Sequence, residues 1–259
     1  MVSKQELIEN IKKKKELSGL PDSFVLDALE EQLAKLGVKS LDLKKAQQKA
    51  LVKLVRADLR KKTGMFQKVT EKLWKSRLEL LEEGKIGEIL ETHASTKERL
   101  SFYPKLKEII SSLNVKSILD LGCGLNPLAL ASPEIVYYAV DIQKGELELI
   151  KKFFQKNNIQ GKTISKDLSK DINLPPADLC LALKLFDILE SKGHKQAENI
   201  LKSISCRHFI ISFSTKTLSG KPMLHVKRPW LERILNRLAY KFSIINSENE
   251  IFYIIERSS

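Results

Sequence analysis

The chain reads as an α/β protein, a parallel-sheet domain preceded by an all-helical segment, and three observations predict this. Up to about Leu113 the text is made of short helical segments with almost no β-branched alternation. From Lys116 onward, apolar runs at 118–121, 136–140, 179–183 and 209–213 alternate with helical stretches at 146–154 and 195–204, the rhythm of parallel strands joined by crossovers. The first of those runs enters a glycine turn, Asp120-Leu121-Gly122-Cys123-Gly124-Leu125-Asn126-Pro127, and then a helix start.

Composition narrows the class. With 259 residues and 42% hydrophobic content the chain can fill one large core or two modest ones. Its 45 Lys and Arg against 32 Asp and Glu give a formal charge of +13, spread over both halves, which favours a polyanionic partner through phosphate contacts and counterion release. Cys123, Cys180 and Cys206 show no C-x-x-C spacing and sit in or beside apolar runs, so neither a disulfide framework nor a metal site is indicated. No apolar run approaches the roughly 20 residues of a membrane span. Met1-Val2-Ser3-Lys4 leads into charged residues, and the expectation is a cytoplasmic monomer without a membrane partner.

In the helical part, Pro21-Asp22 opens a segment with Phe24, Ala28, Leu29, Leu33 and Leu36 at helical spacing until Gly37. A second helix is expected after Ser40, an N-cap residue, with Leu43, Ala46, Ala50, Leu51, Leu54 and Val55 on its stripe. Both stripes read as core. Residues 56–68 then combine a basic cluster, including Arg60, Lys61, Lys62 and Lys68, with Gly64 and Phe66. Such a patch can grip RNA phosphates, and it can equally be a solvated helix end whose cations complement the C-terminal dipole.

Ser95 with Glu98 three residues later makes a capping box, predicting a helix from there to about Ser112. Arg99, just over one turn inside, would offer its planar fork to a carboxylate near the helix mouth. His93, before that helix, carries no chemistry by itself.

The glycine turn is a cofactor cradle, because it lets backbone approach a ligand where any side chain would collide. A dinucleotide fingerprint, G-x-G-x-x-G, fails here, since Pro127 stands where the third glycine belongs. Asp120 before the turn and Asp141 at the end of the next strand suit S-adenosylmethionine better. Asp141 would accept from both ribose hydroxyls; Asp167 would accept from the adenine amino group, with Leu168 adding a backbone amide and apolar contact. Each aspartate can also be an ordinary turn or cap residue, and it is their order after the glycine turn that argues for a site. After the third of the apolar runs, Lys184-Leu185-Phe186-Asp187-Ile188-Leu189-Glu190 stands where an acceptor would meet the methyl group. Phe186 is a stacking candidate, Lys184 a contact to phosphate or base edge, and Glu190 a partner for Lys184 or for a guanine. A leucine-rich helix start with surface charges is the competing reading. Runs at 240–245 and 250–255 around the turn 246–249 read as a β-hairpin, an addition that closes the sheet of many class I methyltransferases.

Together these residues resemble one family, the aminoglycoside-resistance 16S rRNA (guanine-N7) methyltransferases. The resemblance lies in His93-Ala94-Ser95-Thr96-Lys97-Glu98-Arg99-Leu100, then Cys123-Gly124-Leu125-Asn126-Pro127-Leu128-Ala129-Leu130, and continues through Asp141-Ile142, Asp167, Lys184-Leu185 to Leu189-Glu190, and Ser212-Phe213 to Leu218-Ser219-Gly220. It implies a class I, Rossmann-like S-adenosylmethionine domain over residues 93–259 behind a helical rRNA-recognition domain over residues 1–92. It also implies the 30S subunit as substrate and guanine N7 in the decoding A site as target. Carried over by position, His93, Ala94, Ser95 and Arg99 would hold the methionine end of the cofactor, and Gly122, Cys123 and Gly124 its backbone. Asp141 with Ile142 would hold the ribose and Asp167 with Leu168 the adenine, with Leu183 packed nearby. The family usually has proline where this chain has Ser214 and glycine where it has Lys221, which bears on target choice more than on cofactor binding. Two rivals stay open: methylation of another RNA or a small molecule, and a non-catalytic RNA-binding or ribosome-assembly factor on the same fold.

Overall fold

The computed structural model describes residues 2–38, 41–62, 70–168, 172–189, 194–217 and 221–258. Its first helix, α1 (Lys4–Lys12), begins at a reciprocal cap in which the Ser3 hydroxyl accepts the Glu6 N–H and the Glu6 carboxylate accepts that of Ser3. A short α2 (Lys15–Ser18) leads into α3 (Asp22–Lys35), which buries Phe24, Val25, Ala28, Leu29 and Leu33 and ends at Gly37, at φ +65°. Leu36, expected on that stripe, is exposed.

Helix α4 runs Lys45–Lys62; Ser40, the expected cap, lies outside the described residues. Only the row Leu51, Val55 and Leu59, spaced by four, is buried, because one row suffices to meet α1 and α3. Ala46, Ala50 and Leu54 face solvent, so the expected stripe is half right.

Helices α5 (Glu71–Glu82), α6 (Ile86–Glu91), α7 (Ala94–Arg99) and α8 (Tyr103–Ser112) follow. The capping box at Ser95 and the single helix to Ser112 are both overturned. His93 is the N-cap of α7 and makes no side-chain cap, while the Thr96 hydroxyl donates back to the Leu90 carbonyl at 2.6 Å. A 3-10 turn, Leu100–Phe102, then separates α7 from α8. Pro104 explains the break: inside a continuous helix it would lose one hydrogen bond and collide with the carbonyl four residues back, whereas in the first turn of a new helix it does neither.

The sheet is built from β1 (Ser117–Leu121), β2 (Val136–Asp141), β3 (Gly161–Ser165), β4 (Leu179–Leu183), β5 (His208–Ser214), β6 (Lys241–Asn246) and β7 (Glu250–Glu256). Among the described residues these form one sheet in the order β3-β2-β1-β4-β5-β7-β6. Five strands are parallel; β7 enters antiparallel between β5 and β6, and β6 with β7 is the expected hairpin. Strand β3 escapes a periodicity reading because Gly-Lys-Thr-Ile-Ser is an edge strand with little to bury.

Helices α9 (Asn126–Leu130), α10 (Lys144–Lys156), α11 (Phe186–Leu189), α12 (Lys195–Ser203) and α13 (Pro229–Arg237) complete the chain. One face of the sheet packs with Leu81, Ile89, Leu106, Leu128, Leu149 and Phe153, the other with Phe186, Ile200, Leu201, Leu231 and Leu235. A third apolar cluster joins α1 to α4 and also receives Ile142. By packing, therefore, α5 and α6 go with the sheet. No helix among the described residues is long and apolar enough to cross a membrane.

Candidate cofactor and substrate site

At the carboxyl end of β1 the chain turns through Gly122 (φ +62°) and Gly124 (φ +48°), a region glycine enters without steric cost. Space adds to the requirement. A Cβ on Gly122 would stand 2.9 Å from Leu185 Cδ1, and one on Gly124 would stand 3.2 Å from His93 Cε1. The Cys123 N–H donates to the Val140 carbonyl at 3.0 Å, which pins the turn to β2; the Cys123 thiol is buried and its pKa is pushed up by that burial.

Asp141, the last residue of β2, is the hub. Its Oδ2 accepts the Gly124 N–H and its Oδ1 the Gln143 N–H, both at 2.9 Å. Burial raises its pKa, opposed by those backbone donors. Each carboxylate oxygen has a second lone pair, so the group can still accept from two vicinal hydroxyls. A cavity of about 250 Å³ opens here, with His93, Gly124, Asp141, Gln143 and Glu146 in its wall. The residues present thus fit S-adenosylmethionine: a turn that admits backbone only, a buried acceptor pair beside it, and space between.

His93 lies under the turn, buried, its pKa lowered to about 4 by burial and then by the charges of Arg77, Arg99 and Lys184. Ala94 is exposed and Ser95 half-buried at the start of α7. Arg99 is buried at the end of α7. Its Nη1 donates to Asn126 Oδ1 at 2.7 Å and its Nη2 meets the Glu250 carboxylate at 2.9 Å, both partners buried. Arg99 thereby holds the Asn126-Pro127 end of the turn from the protein side, while its buried Nε has no hydrogen-bond partner among the described residues. Tyr103 donates to the same Asn126 oxygen at 2.8 Å, while Asp120, fully buried, accepts from the Tyr137 hydroxyl at 2.8 Å and is raised by burial to about 7.

Asp167 is half-buried in the loop after β3, and Leu168 is buried with its carbonyl accepting from Gln196 at 2.8 Å. Ile142 is half-buried against the N-terminal helices, and Leu183 is buried at the end of β4. Lys184 has φ +57°, rare for a side chain with a Cβ; its N–H reaches the Ser212 carbonyl at 3.0 Å, and its ammonium pairs with Glu98 and lies 3.6 Å from Glu250. Phe186 corrects the sequence reading: it is fully buried in the core beneath β4 and β5 and presents no face on which a base can stack. The apolar surroundings that make it a good core residue take it out of the site.

Glu190 and Lys68 lie outside the described residues, as do the side chains of Lys61 and Lys62. In the same basic cluster, Arg56 donates to the carbonyls of Asn10 and Ile11 at the end of α1, and Arg60 donates to Glu16 at 2.6 Å. Sequence reasoning missed Glu250, Asn126, and the buried pair Arg77–Glu146, whose Nη1 lies 3.0 Å from both carboxylate oxygens. Glu250 has one visible signal, a charge opening the apolar run of β7.

Glycine turn, buried acid after the next strand, a further acid after β3 and an antiparallel strand inserted beside β5 define a class I S-adenosylmethionine-dependent methyltransferase. The chain belongs to the ribosomal RNA methyltransferase (FmrO) family, whose model matches residues 79–254. It is 31% identical over 200 residues to the 16S rRNA (guanine(1405)-N(7))-methyltransferase of Serratia marcescens, covering 73% of this chain and 77% of that one. To the enzyme of the same description from Micromonospora echinospora it is 26% identical over 178 residues, 65% and 64% of the two chains. The structure of the 16S rRNA methyltransferase RmtF in complex with S-adenosyl-L-homocysteine superposes with a TM-score of 0.83 at 26% identity, and that of the 16S rRNA methylase RmtB with 0.80 at 25%, each over the whole of both chains.

Proposed function

We propose that this chain methylates N7 of a guanine in 16S rRNA, using S-adenosylmethionine, with the assembled 30S subunit as substrate and the decoding A site as target. The observation that carries this reading is the cradle formed by Gly124 and the buried Asp141 in a member of a ribosomal RNA methyltransferase family. S-adenosylmethionine supplies an electrophilic methyl group when bound. Guanine N7 has a lone pair and no hydrogen, so the protein needs no general base; its task is to align donor and acceptor, catalysis by proximity and orientation. A target base stacked in a helix must first be turned out, at a cost of a few kcal/mol. Residues 1–92 would recognise rRNA and residues 93–259 hold the cofactor, with Asp141 at the ribose, Asp167 and Leu168 at the adenine, and Lys184 on the acceptor side. The charge of +13 supports an RNA over a small molecule. On this reading the chain acts as a monomer on the ribosome, in the cytoplasm. Its methylated product is a cationic ring, which repels the ammonium groups of aminoglycosides and accounts for resistance.

The test is transfer of a labelled methyl group to 30S subunits and to free 16S rRNA, followed by mapping. Label at guanine N7 in 30S subunits is expected; label on another nucleotide overturns the target. Failure to bind S-adenosylhomocysteine in calorimetry overturns the enzyme reading in favour of a non-catalytic factor.

A further inference from the structure

The cavity above Asp141 is not enclosed by the sheet domain alone. Glu16, Ser18 and Gly19, from α2 and the residue that ends it, stand across from Gly124, Asp141 and Gln143. The two sides are close: a Cβ on Gly19 would lie 3.6 Å from Gln143 Oε1. One residue earlier in the same loop, Ile142 packs into the apolar cluster of the N-terminal helices. The β2–α10 loop that carries Asp141 is thus clamped between the two halves of the molecule. Leu17 and Leu20 anchor the turn in the apolar cluster, and the mostly buried Glu16 carboxylate ties it to α4, its Oε1 receiving Arg60 Nη2 at 2.6 Å and Nε at 3.2 Å. Arg60 comes from the long helix α4, so the position of the turn depends on where α4 sits.

We propose that residues 15–19 form the outer wall of the cofactor site and that the Glu16–Arg60 ion pair positions this wall, so that S-adenosylmethionine is held between the N-terminal helices and the sheet. This rests on the functional reading above, since it takes the cavity to be the cofactor's. Glu16 and Arg60 are positioning residues; the contact with the ligand is made by the turn they fix. One consequence concerns RNA. An arginine expected to meet rRNA phosphate is the same one that holds the cofactor's wall, which links the two binding events in both directions.

The experiment is calorimetric titration of S-adenosylhomocysteine into the full chain, with Glu16→Arg, the swapped pair Glu16→Arg with Arg60→Glu, and Glu30→Gln, which breaks only the exposed pair with Lys4, as the control. Expected are a loss of at least tenfold for Glu16→Arg, recovery to within threefold for the swap, and no change beyond twofold for the control. Should Glu16→Arg fail to fold, Glu16→Gln takes its place with an expected loss of at least threefold. Hydrogen exchange in residues 15–20 should slow when the ligand binds to the unmodified chain. If that chain binds no ligand, the functional reading itself fails. If it binds and the Glu16 variants bind equally well, or the swap recovers nothing, or residues 15–20 exchange at an unchanged rate, the wall is disproved while the functional reading stands.

Discussion

Asp141 ties the glycine turn to the loop after β2, since one of its oxygens accepts the Gly124 N–H and the other the Gln143 N–H. Asp141→Ala should therefore weaken S-adenosylhomocysteine binding by at least tenfold in calorimetry while 30S binding is nearly intact; unchanged affinity would remove it from the site. Phe186→Ala makes the opposite kind of prediction. As a fully buried ring it should cost about 3–5 kcal/mol in urea unfolding. A variant of normal stability that lost only methyl transfer would restore the stacking role. His93 supplies a pH signature. With a folded pKa of about 4 against 6.5 when unfolded, the native state binds fewer protons between those values, so this group's contribution is complete above about pH 6.5 and is lost as pH falls towards 4. A difference of one pH unit between folded and unfolded values corresponds to about 1.4 kcal/mol. Asp120, raised to about 7, acts with the opposite sign from about pH 4 to 7. Unfolding measured across pH 4–7 should accordingly show a shallower acid-side loss in His93→Gln than in the unmodified chain, and equal slopes would contradict the effect of burial on this imidazole.

Between elements, the informative contacts are buried ion pairs joining segments far apart in the chain. Arg77 on α5 meets Glu146 in the first turn of α10 with both side chains buried, and it also donates to Thr92 Oγ1 at 2.7 Å, just ahead of His93. Removing one partner leaves an uncompensated charge in the interior. Arg77→Met should therefore cost about 3–5 kcal/mol in denaturant unfolding, and the pair Arg77→Met with Glu146→Leu distinctly less. A double variant as unstable as the single one would show that packing, and not the stranded charge, sets the cost. The same scale explains the broken helix at residues 100–102. Local capping signals at Ser95 and Glu98 lose to Pro104 and to the Thr96 hydroxyl, which bonds backwards to Leu90.

For the whole molecule, a charge of +13 implies 30S affinity that falls steeply with salt, because each phosphate neutralised releases counterion. Lys61→Glu with Lys62→Glu should weaken 30S binding and flatten its dependence on salt; an unaltered slope would leave that helix end as ordinary solvated surface. The sequence by itself determined the alternation of strands and helices after Lys116, the glycine turn, the acid that closes the following strand, and the hairpin, because strand period, turn chemistry and glycine's freedom are local properties of a few neighbouring residues. Only the tertiary structure decided that Phe186 is core, that Arg99 bonds to Glu250 and Asn126, that β3 is a strand at all, and that residues 15–19 stand over Asp141. Those facts depend on which surfaces meet across up to 151 residues of chain, and burial and ion pairing are set by the partner, which no local pattern records.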